Sequence, residues 1–199
     1  MTHLSRRGFV TAAAGSLLVS CGSHGGDRAQ GTHMTPRPAA APSKAARSHS
    51  VPVRLRIAGI GVDTPVMRLG LAPDGTVQVP PITAHDQAGW YQNSPTPGQT
   101  GPSVILGHVT VGAYGDGVFR RLDRLRRGDE VTVRLENGTS ADFTVTSVRT
   151  VAKAEFPTEA VYGDVDRPEL RLITCGGPRT GDGYRDNVIV FAALRTTLH

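Results

Sequence analysis

The chain has 199 residues, of which 38% are hydrophobic and 5% aromatic, and it contains 24 glycines and 14 prolines. This length allows one domain of ordinary size with an appendage, and the composition suits short strands joined by tight turns better than a helical bundle. The net charge of +5 comes from residues 1–50, with six basic and one acidic side chain, whereas residues 51–199 hold sixteen of each. The folded part therefore has no basic excess for binding nucleic acid, and no nucleic-acid partner is expected.

The first 21 residues have the pattern of an export signal. Two arginines precede an apolar stretch at residues 9–19, which is shorter than the roughly 20 residues of a membrane span. The segment SRRGFV at 5–10 resembles a twin-arginine signal, and LVSC, which ends at Cys21, resembles a lipobox. We predict an exported protein tethered to the outer face of the cell membrane through lipidation of Cys21. A plain secretory signal with an incidental cysteine is the alternative.

Residues 22–50 form a segment rich in Pro, Ala, Ser and Gly, with Met34 as its one large apolar side chain. Such a segment cannot bury enough surface to fold by itself, so we predict a flexible tether. The sequence therefore divides into an export signal at 1–21, a tether at 22–50 and a folded domain at 51–199.

Short apolar segments alternate with turn residues throughout the predicted domain. Residues 82–91 are expected to form a short helix or turn that buries Trp90, and residues 116–126 a short amphipathic helix. Asn137–Gly138 favours a hairpin turn. We predict an all-β closed barrel of about eight strands with one or two short helices, because closure protects the strand edges. The predicted strands are 53–57, 62–69, 75–79, 103–106, 129–135, 143–151, 170–174 and 188–194.

A cysteine ends one of the last apolar runs. In ELRLITCGGP, residues 169–178, the run stops at Cys175 and two glycines follow, so we expect the thiol at the end of a strand and not inside the core. If Cys21 carries a lipid, Cys175 has no disulfide partner, and it is either a buried cysteine without a chemical role or a nucleophile. Its place at the strand end favours the nucleophile.

A thiol nucleophile needs a base, because an ordinary cysteine is mostly protonated at neutral pH. The domain offers His85, His108 and His199 as candidates. His199 is the last residue and His85 lies in a polar segment, whereas His108 directly follows an apolar strand, as Cys175 does. We expect these two strand ends to meet at one end of the barrel, which makes His108 the predicted partner.

Attack of a thiol on a carbonyl also creates an oxyanion that needs preorganised donors. Arginine suits this purpose because it stays charged and offers a planar fork of N–H groups. Two arginines follow Cys175, namely Arg179 and Arg185, and only Arg185 leads into the last predicted strand. Arg185 and Asn187 are two residues apart and share a face, so one of them is expected to face Cys175. Arg179 is the less favoured alternative.

Together these motifs resemble those of the sortase family, cysteine transpeptidases of the Gram-positive cell surface. The matching segments are PPITAHDQAGWY, VILGHV, LRRGDEVTV and LITCGG…YRDNVIVFA, spread over about residues 51–194, and they are most similar to the actinobacterial class F type. The resemblance implies a barrel of about eight strands, Cys175 as nucleophile, His108 as acid/base and Arg185 as donor to the substrate carbonyl or oxyanion. The chain departs from the family at its N-terminus, where sortases usually carry a transmembrane anchor, and at the arginine, whose position in better-known classes aligns with Asn187.

The resemblance also implies the reaction. Cys175 would attack the Thr–Gly bond of an LPXTG-like sorting signal of a secreted protein, and an amine of a peptidoglycan precursor would resolve the thioester. No cofactor and no metal are expected. A pilin-polymerising sortase and a non-enzymatic surface lipoprotein with a degenerate barrel stay open as alternatives. An L,D-transpeptidase and a papain-like peptidase are disfavoured, because His108 precedes Cys175 by 67 residues.

Overall fold

The computed structural model describes residues 50–181 and 183–195. In this part the chain forms a closed, all-β barrel of eight strands in the order β1-β2-β3-β4-β7-β8-β6-β5, which confirms the predicted fold class. The strands are β1 (Pro52–Ile57), β2 (Val62–Leu69), β3 (Ala88–Tyr91), β4 (Gly101–Leu106), β5 (Glu130–Leu135), β6 (Ser140–Ala152), β7 (Pro168–Thr180) and β8 (Gly183–Leu194). The predicted export signal with Cys21, residues 22–49 and His199 lie outside the described residues.

Strand β7 lies between β4 and β8, and this arrangement positions the candidate site. β4 and β7 pair in parallel, in a register that ends with Leu106 opposite Ile173. β7 and β8 are antiparallel, with Cys175 opposite Asn187. Because β4 and β7 run in the same direction, the residues that follow both strands emerge at the same edge of the barrel.

Two hydrophobic clusters bury opposite faces of these strands. Alternate residues such as Ile105 and Leu172 point into the barrel interior, whereas Val104 and Ile173 belong to an outer cluster. The single α-helix of the described residues, α1 (Thr158–Tyr162), covers this outer cluster with its buried Val161. Burial on both faces explains the apolar run at the end of β4 and the Leu172–Ile173 pair of β7, and the two charged residues of β7, Glu169 and Arg171, are paired with each other.

The predicted β5–β6 hairpin is confirmed, and Gly138 adopts the positive φ of 83° that its turn requires. The predicted strand at 75–79 is wrong. This segment makes one isolated bridge between Leu71 and Val77, and the Asp74 carboxylate accepts hydrogen bonds from Thr76, which closes a local turn. The eighth strand is instead β3, formed in the second half of the 82–91 segment. The helix or turn expected there is limited to the 3-10 turn Ile82–Ala84, and Trp90 is buried as predicted.

The helices also differ from the prediction. Only one 3-10 turn, Leu122–Arg124, forms within the amphipathic segment at 116–126, because Leu125 is extended and ends it. Helix α1 was not predicted. In the described residues there are five short 3-10 turns besides α1. None of these helices has the length and apolar character needed to cross a bilayer.

The end of β7 is longer than predicted. Cys175 does not end the strand, which continues to Thr180, but the regular pairing with β8 stops one residue later at Gly176 opposite Asp186. Pairing resumes at Arg179 opposite Tyr184. Gly177, with φ of 69°, permits this irregularity. Cys175 therefore lies at the last regular part of the ladder, where the strand begins to leave the sheet.

Candidate active site

Cys175 lies on the outer face of the barrel. Thr174 is buried and pairs with Val188 of the interior cluster, so Thr174 points inward. Side chains alternate along a strand, which directs Ile173 and Cys175 outward. The outer cluster contains Ile173, and Cys175 is half-buried with a free thiol. The thiol is thus held at the outer surface and is not part of the core.

His108 reaches the same face because of the glycine before it. The Gly107 N–H donates to the Ile173 carbonyl at 3.1 Å, which extends the β4–β7 pairing beyond the strand end. A Cβ on Gly107 would lie 2.6 Å from Cδ2 of the buried Phe119, so this position points inward and must stay glycine. By alternation the next residue, His108, takes the opposite direction, and it is two positions past Leu106 as Cys175 is two positions past Ile173, so a continued register would bring the two backbones to about the 4.8 Å spacing of neighbouring strands.

The backbone of His108 is also held from its other side. The Phe119 N–H donates to the His108 carbonyl at 2.9 Å, and the Gly117 N–H donates to the Val109 carbonyl at 3.0 Å. Gly117 lies directly against the His108 carbonyl and leaves no room for a side chain. Because Phe119 is fully buried, the loop after β4 is anchored to the core and keeps His108 at a defined position.

The imidazole of His108 makes one hydrogen bond that the sequence did not indicate. Its Nε2 atom lies 2.6 Å from the carbonyl oxygen of Pro80, 28 residues earlier in the chain. A carbonyl only accepts, so Nε2 carries the hydrogen. The other ring nitrogen, Nδ1, is then the one left to exchange a proton with a thiol.

The two candidate arginines differ in position. Arg185 is exposed on β8 and lies two residues before Asn187, so it is a diagonal neighbour of Cys175, at about 7–8 Å between backbones. Arg179 lies beyond the irregularity, and its guanidinium is 5.9 Å from the ring centroid of Tyr184. The structure thus places Asn187 opposite Cys175, and Arg185 two residues before Asn187 on β8, where the regular pairing with β7 is interrupted.

His85, the other candidate histidine within the described residues, has different neighbours. Its ring stacks on Tyr114 with 4.6 Å between centroids, and it lines a cleft of about 340 Å³ together with Asp86 and Asp116. Cys175 does not line this cleft. The described residues also contain no group of three or more His, Cys, Asp or Glu side chains arranged to hold a metal ion.

A larger cavity of about 670 Å³ opens next to the outer cluster. It lies between α1, the start of β4 and the loop after β2. Burial, and secondarily the nearby Tyr91, raise the pKa of the Tyr162 hydroxyl in its wall. The cavity is about 20 Å from His108 along β4, because Pro102 at its border precedes His108 by six extended residues. Its lining includes Val77, Tyr91, Pro102, Phe156 and Tyr162.

A half-buried thiol, an imidazole just after the neighbouring strand and an exposed guanidinium are the groups used in nucleophilic acyl transfer. The fold is a closed eight-stranded barrel, and the half-buried thiol lies on its outer face. A sequence profile of the sortase domain matches residues 55–195. The chain belongs to the sortase family, whose members are transpeptidases.

Solved structures agree with this assignment. The SrtA sortase of Actinomyces oris is 28% identical, with a TM-score of 0.54, and the match covers 74% of this chain and 81% of that one. A lid mutant of sortase A from Corynebacterium diphtheriae is 19% identical, with a TM-score of 0.59 over 74% and 72%. Sortase C-1 of Actinomyces oris is 22% identical, with a TM-score of 0.58 over 73% and 76%. Among curated proteins, none matches the chain significantly.

Proposed function

We propose that the chain is a sortase that uses Cys175 as nucleophile, His108 as acid/base and Arg185 as donor to the oxyanion. The observation that carries this proposal is the β4–β7–β8 arrangement, in which Cys175 of β7 lies opposite Asn187 of β8, Arg185 is two residues from Asn187, and β4, parallel to β7, ends two residues before His108. A thiol, an imidazole and a guanidinium on or just after three neighbouring strands fit a catalytic site better than a buried cysteine without a chemical role.

In the proposed reaction, His108 takes the proton of the Cys175 thiol, and the sulfur attacks the carbonyl carbon of the Thr–Gly bond in an LPXTG-like sorting signal. The Arg185 guanidinium donates to the carbonyl oxygen, where negative charge develops. His108 gives a proton to the glycine nitrogen as the C–N bond breaks, and a thioester is left on Cys175. An acceptor amine then attacks the thioester, His108 takes the amine proton, and a new amide forms while the thiolate is released.

The larger cavity suits the part of the substrate that precedes the cleaved bond. It is on the same outer face as Cys175, and an extended peptide of about six residues would span the roughly 20 Å between them. Its wall contains Tyr91, Phe156 and Tyr162, which offer apolar ring surface. We propose that the sorting signal lies extended along the outer face from this cavity toward Cys175.

The donor substrates are secreted proteins with LPXTG-like sorting signals, and the acceptor is an amine of a peptidoglycan precursor. Sortases act at the cell envelope, which fits the basic, short-apolar N-terminus of this chain. We propose an export signal at 1–21, a tether at 22–50 and the catalytic domain at 51–199, with a lipid on Cys21 as membrane anchor. The mass of the mature N-terminus tests the anchor. The class F subtype is part of the same proposal.

The test is to incubate the full chain with a panel of sorting-signal peptides and amines and to identify the products by mass. We expect cleavage between Thr and Gly and transfer of the N-terminal part to an amine. Cys175→Ala and His108→Ala should each lower the rate by at least about a thousandfold, because nucleophile and proton transfer are lost. His85→Ala is the matched control and should keep most of the rate. Transfer by Cys175→Ala would refute the proposal, and a lysine side chain as preferred acceptor would indicate a pilin-polymerising role.

A further inference from the structure

The hydrogen bond between His108 and Pro80 has a defined direction. Nε2 of His108 lies 2.6 Å from the Pro80 oxygen, slightly shorter than the usual range for N–H···O bonds. Neutral imidazole has one N–H, and the group bonded to one nitrogen decides which tautomer is populated. A carbonyl at Nε2 favours the tautomer with hydrogen on Nε2 and a lone pair on Nδ1.

The Pro80 carbonyl is held in place from both sides along the chain. Before it, the Gln78 N–H donates to the Gly70 carbonyl at 3.0 Å, and the Gln78 side chain accepts from the Gly70 N–H at 2.9 Å. After it, the Ala84 N–H donates to the Pro81 carbonyl at 2.9 Å and starts a 3-10 turn. Pro80 itself is buried, and two consecutive prolines restrict the backbone. The acceptor therefore keeps its orientation without help from the histidine.

We propose that Pro80 is a positioning residue for the catalytic pair. Its carbonyl holds the His108 ring with Nε2–H turned away from the thiol and Nδ1 left for proton exchange with Cys175. This inference rests on the proposed function, because it takes His108 as the acid/base. Nucleophile–base pairs are commonly oriented by a third group, and here a backbone carbonyl takes that place.

The loop that carries Pro80 also borders the larger cavity. Leu71, Gly75 and Val77 line that cavity, and Pro80 meets His108 a few residues later. One segment therefore touches the proposed peptide-binding cavity and the catalytic imidazole. The alternative role of this contact is a latch that withholds His108 from the thiol. The two roles predict opposite effects when the hydrogen bond is weakened.

The experiment weakens the acceptor without removing a side chain that touches His108. An α-hydroxy acid at position 81, introduced by nonsense suppression in the full chain, converts the Pro80–Pro81 amide into an ester, whose carbonyl is a poorer acceptor. Proline has no N–H, so relative to the wild type the ester removes no donor, whereas Pro81→Leu adds one N–H, and the ester is therefore compared with both. The protein with leucic acid, the α-hydroxy analogue of leucine, at position 81 is compared with Pro81→Leu. The two have the same side chain at position 81, but the first has an ester and the second an amide after Pro80. A control places the hydroxy analogue of valine at Val79, which is 59% exposed.

Two readouts separate positioning from a purely structural role. With a sorting-signal peptide and an amine, the ester at position 81 should lower kcat about tenfold relative to Pro81→Leu and change KM by less than twofold, the size expected for one hydrogen bond. In ¹⁵N spectra assigned with His108→Gln, the His108 Nε2–H signature should weaken. The ester at position 79 should change neither quantity.

An unchanged kcat with an unchanged tautomer would overturn the inference, and a faster kcat would show a latch. The proposed function can fail separately. If wild type and Pro81→Leu both transfer no peptide, the catalytic assignment is wrong. In that case the ¹⁵N spectrum of the His108 ring is the one readout left for the role of Pro80. An ester at position 81 that leaves the Nε2–H signature unchanged contradicts that role.

Discussion

At the scale of single residues, the identity of the oxyanion donor depends on the register of β8. Asn187 is the direct partner of Cys175, and Arg185 is its diagonal neighbour on the same face. The short Asn187 amide ends near its own backbone, whereas an arginine reaches several ångströms further and stays charged. Because Arg185 is exposed and Arg179 lies beyond the break in pairing, Arg185 can turn toward a carbonyl at Cys175.

We expect Arg185→Ala to lower kcat/KM by about 10²–10³, the range for loss of one oxyanion donor. Arg179→Ala is the matched control, since it removes the same charge from the same hairpin, and it should change kcat/KM by less than about threefold. Steady-state kinetics with one peptide and one amine measure both. A larger loss in Arg179→Ala would show that the other arginine is the donor.

At the scale of elements, a buried arginine connects β7 with α1. Arg171 is 3% exposed, and its Nε donates to the Ala160 carbonyl at 3.2 Å. Its guanidinium donates to Glu169 at 2.6 Å and lies 4.6 Å from the ring centroid of Phe191. A buried charge is stable only when it is paired and hydrogen-bonded. This arginine therefore ties α1, which borders the larger cavity, to the sheet below it.

The carboxylate of Glu169 makes this connection dependent on pH. Burial raises the pKa of Glu169, but the hydrogen bonds and charges of Arg171 and Arg167 outweigh burial and leave the pKa below its usual range. A lowered pKa in the folded chain contributes stability above the pKa of the unfolded chain, about 4.3. That contribution is lost as the pH falls through the lower, folded value.

We expect Glu169→Gln to lower the free energy of unfolding by about 2 kcal/mol at pH 7, because it leaves the buried Arg171 without its countercharge. The difference from wild type should shrink in acid, as the wild-type carboxylate becomes protonated. Urea titrations between pH 3 and 7 measure this effect. The control is Glu130→Gln, which removes an exposed ion pair with Arg195 and should have little effect. A difference for Glu169→Gln that does not depend on pH would contradict the account.

The same elements show what could be predicted from sequence. A continuous apolar segment is the sequence signal of a buried parallel strand. Such segments come directly before Gly107–His108 and end at Cys175–Gly176, which is why these two sites could be predicted. Strand β3 has no such sequence signal, because its segment Ala-Gly-Trp-Tyr is only four residues long and does not alternate between apolar and polar residues. The segment 75–79 alternates like a strand, yet the Asp74 turn uses its polar groups locally. The total of eight strands was right although one predicted strand was wrong.

Other features depend on tertiary contacts and carry little local signal. Helix α1 has five residues, too few for a helical period, and exists because Val161 packs into the outer cluster. The contact of Pro80 with His108 joins residues 28 positions apart through a backbone carbonyl, which no side-chain pattern reveals.

At the scale of the whole molecule, the barrel closes where β1 pairs with β5, close to the start of the described chain. Ser50 is buried, and its hydroxyl accepts a hydrogen bond from the Asn137 N–H at 3.0 Å, in the turn between β5 and β6. The Glu136 N–H donates to the Val51 carbonyl at 2.9 Å. The folded unit therefore includes Ser50, one residue before the proposed domain boundary.

We expect the fragment 47–199 to unfold with the same free energy as the full chain, because the proposed signal and tether add no core. Ser50→Ala in this fragment should cost about 1 kcal/mol, since it removes the hydrogen bond from the Asn137 N–H to the hydroxyl of the buried Ser50. Urea titrations followed by Trp90 fluorescence measure both quantities. A fragment that fails to fold would contradict the proposed division of the chain, and an unchanged Ser50→Ala would show that the turn is satisfied without the hydroxyl.

The covalent intermediate is the central claim, and intact-mass spectrometry tests it most directly. The full chain is mixed with a sorting-signal peptide in the absence of an amine and quenched in acid. The account predicts a mass increase equal to the peptide up to its threonine, located on Cys175 by digestion and removed by hydroxylamine. Peptide cleavage with no adduct on Cys175, or an adduct that persists in Cys175→Ala, would contradict it.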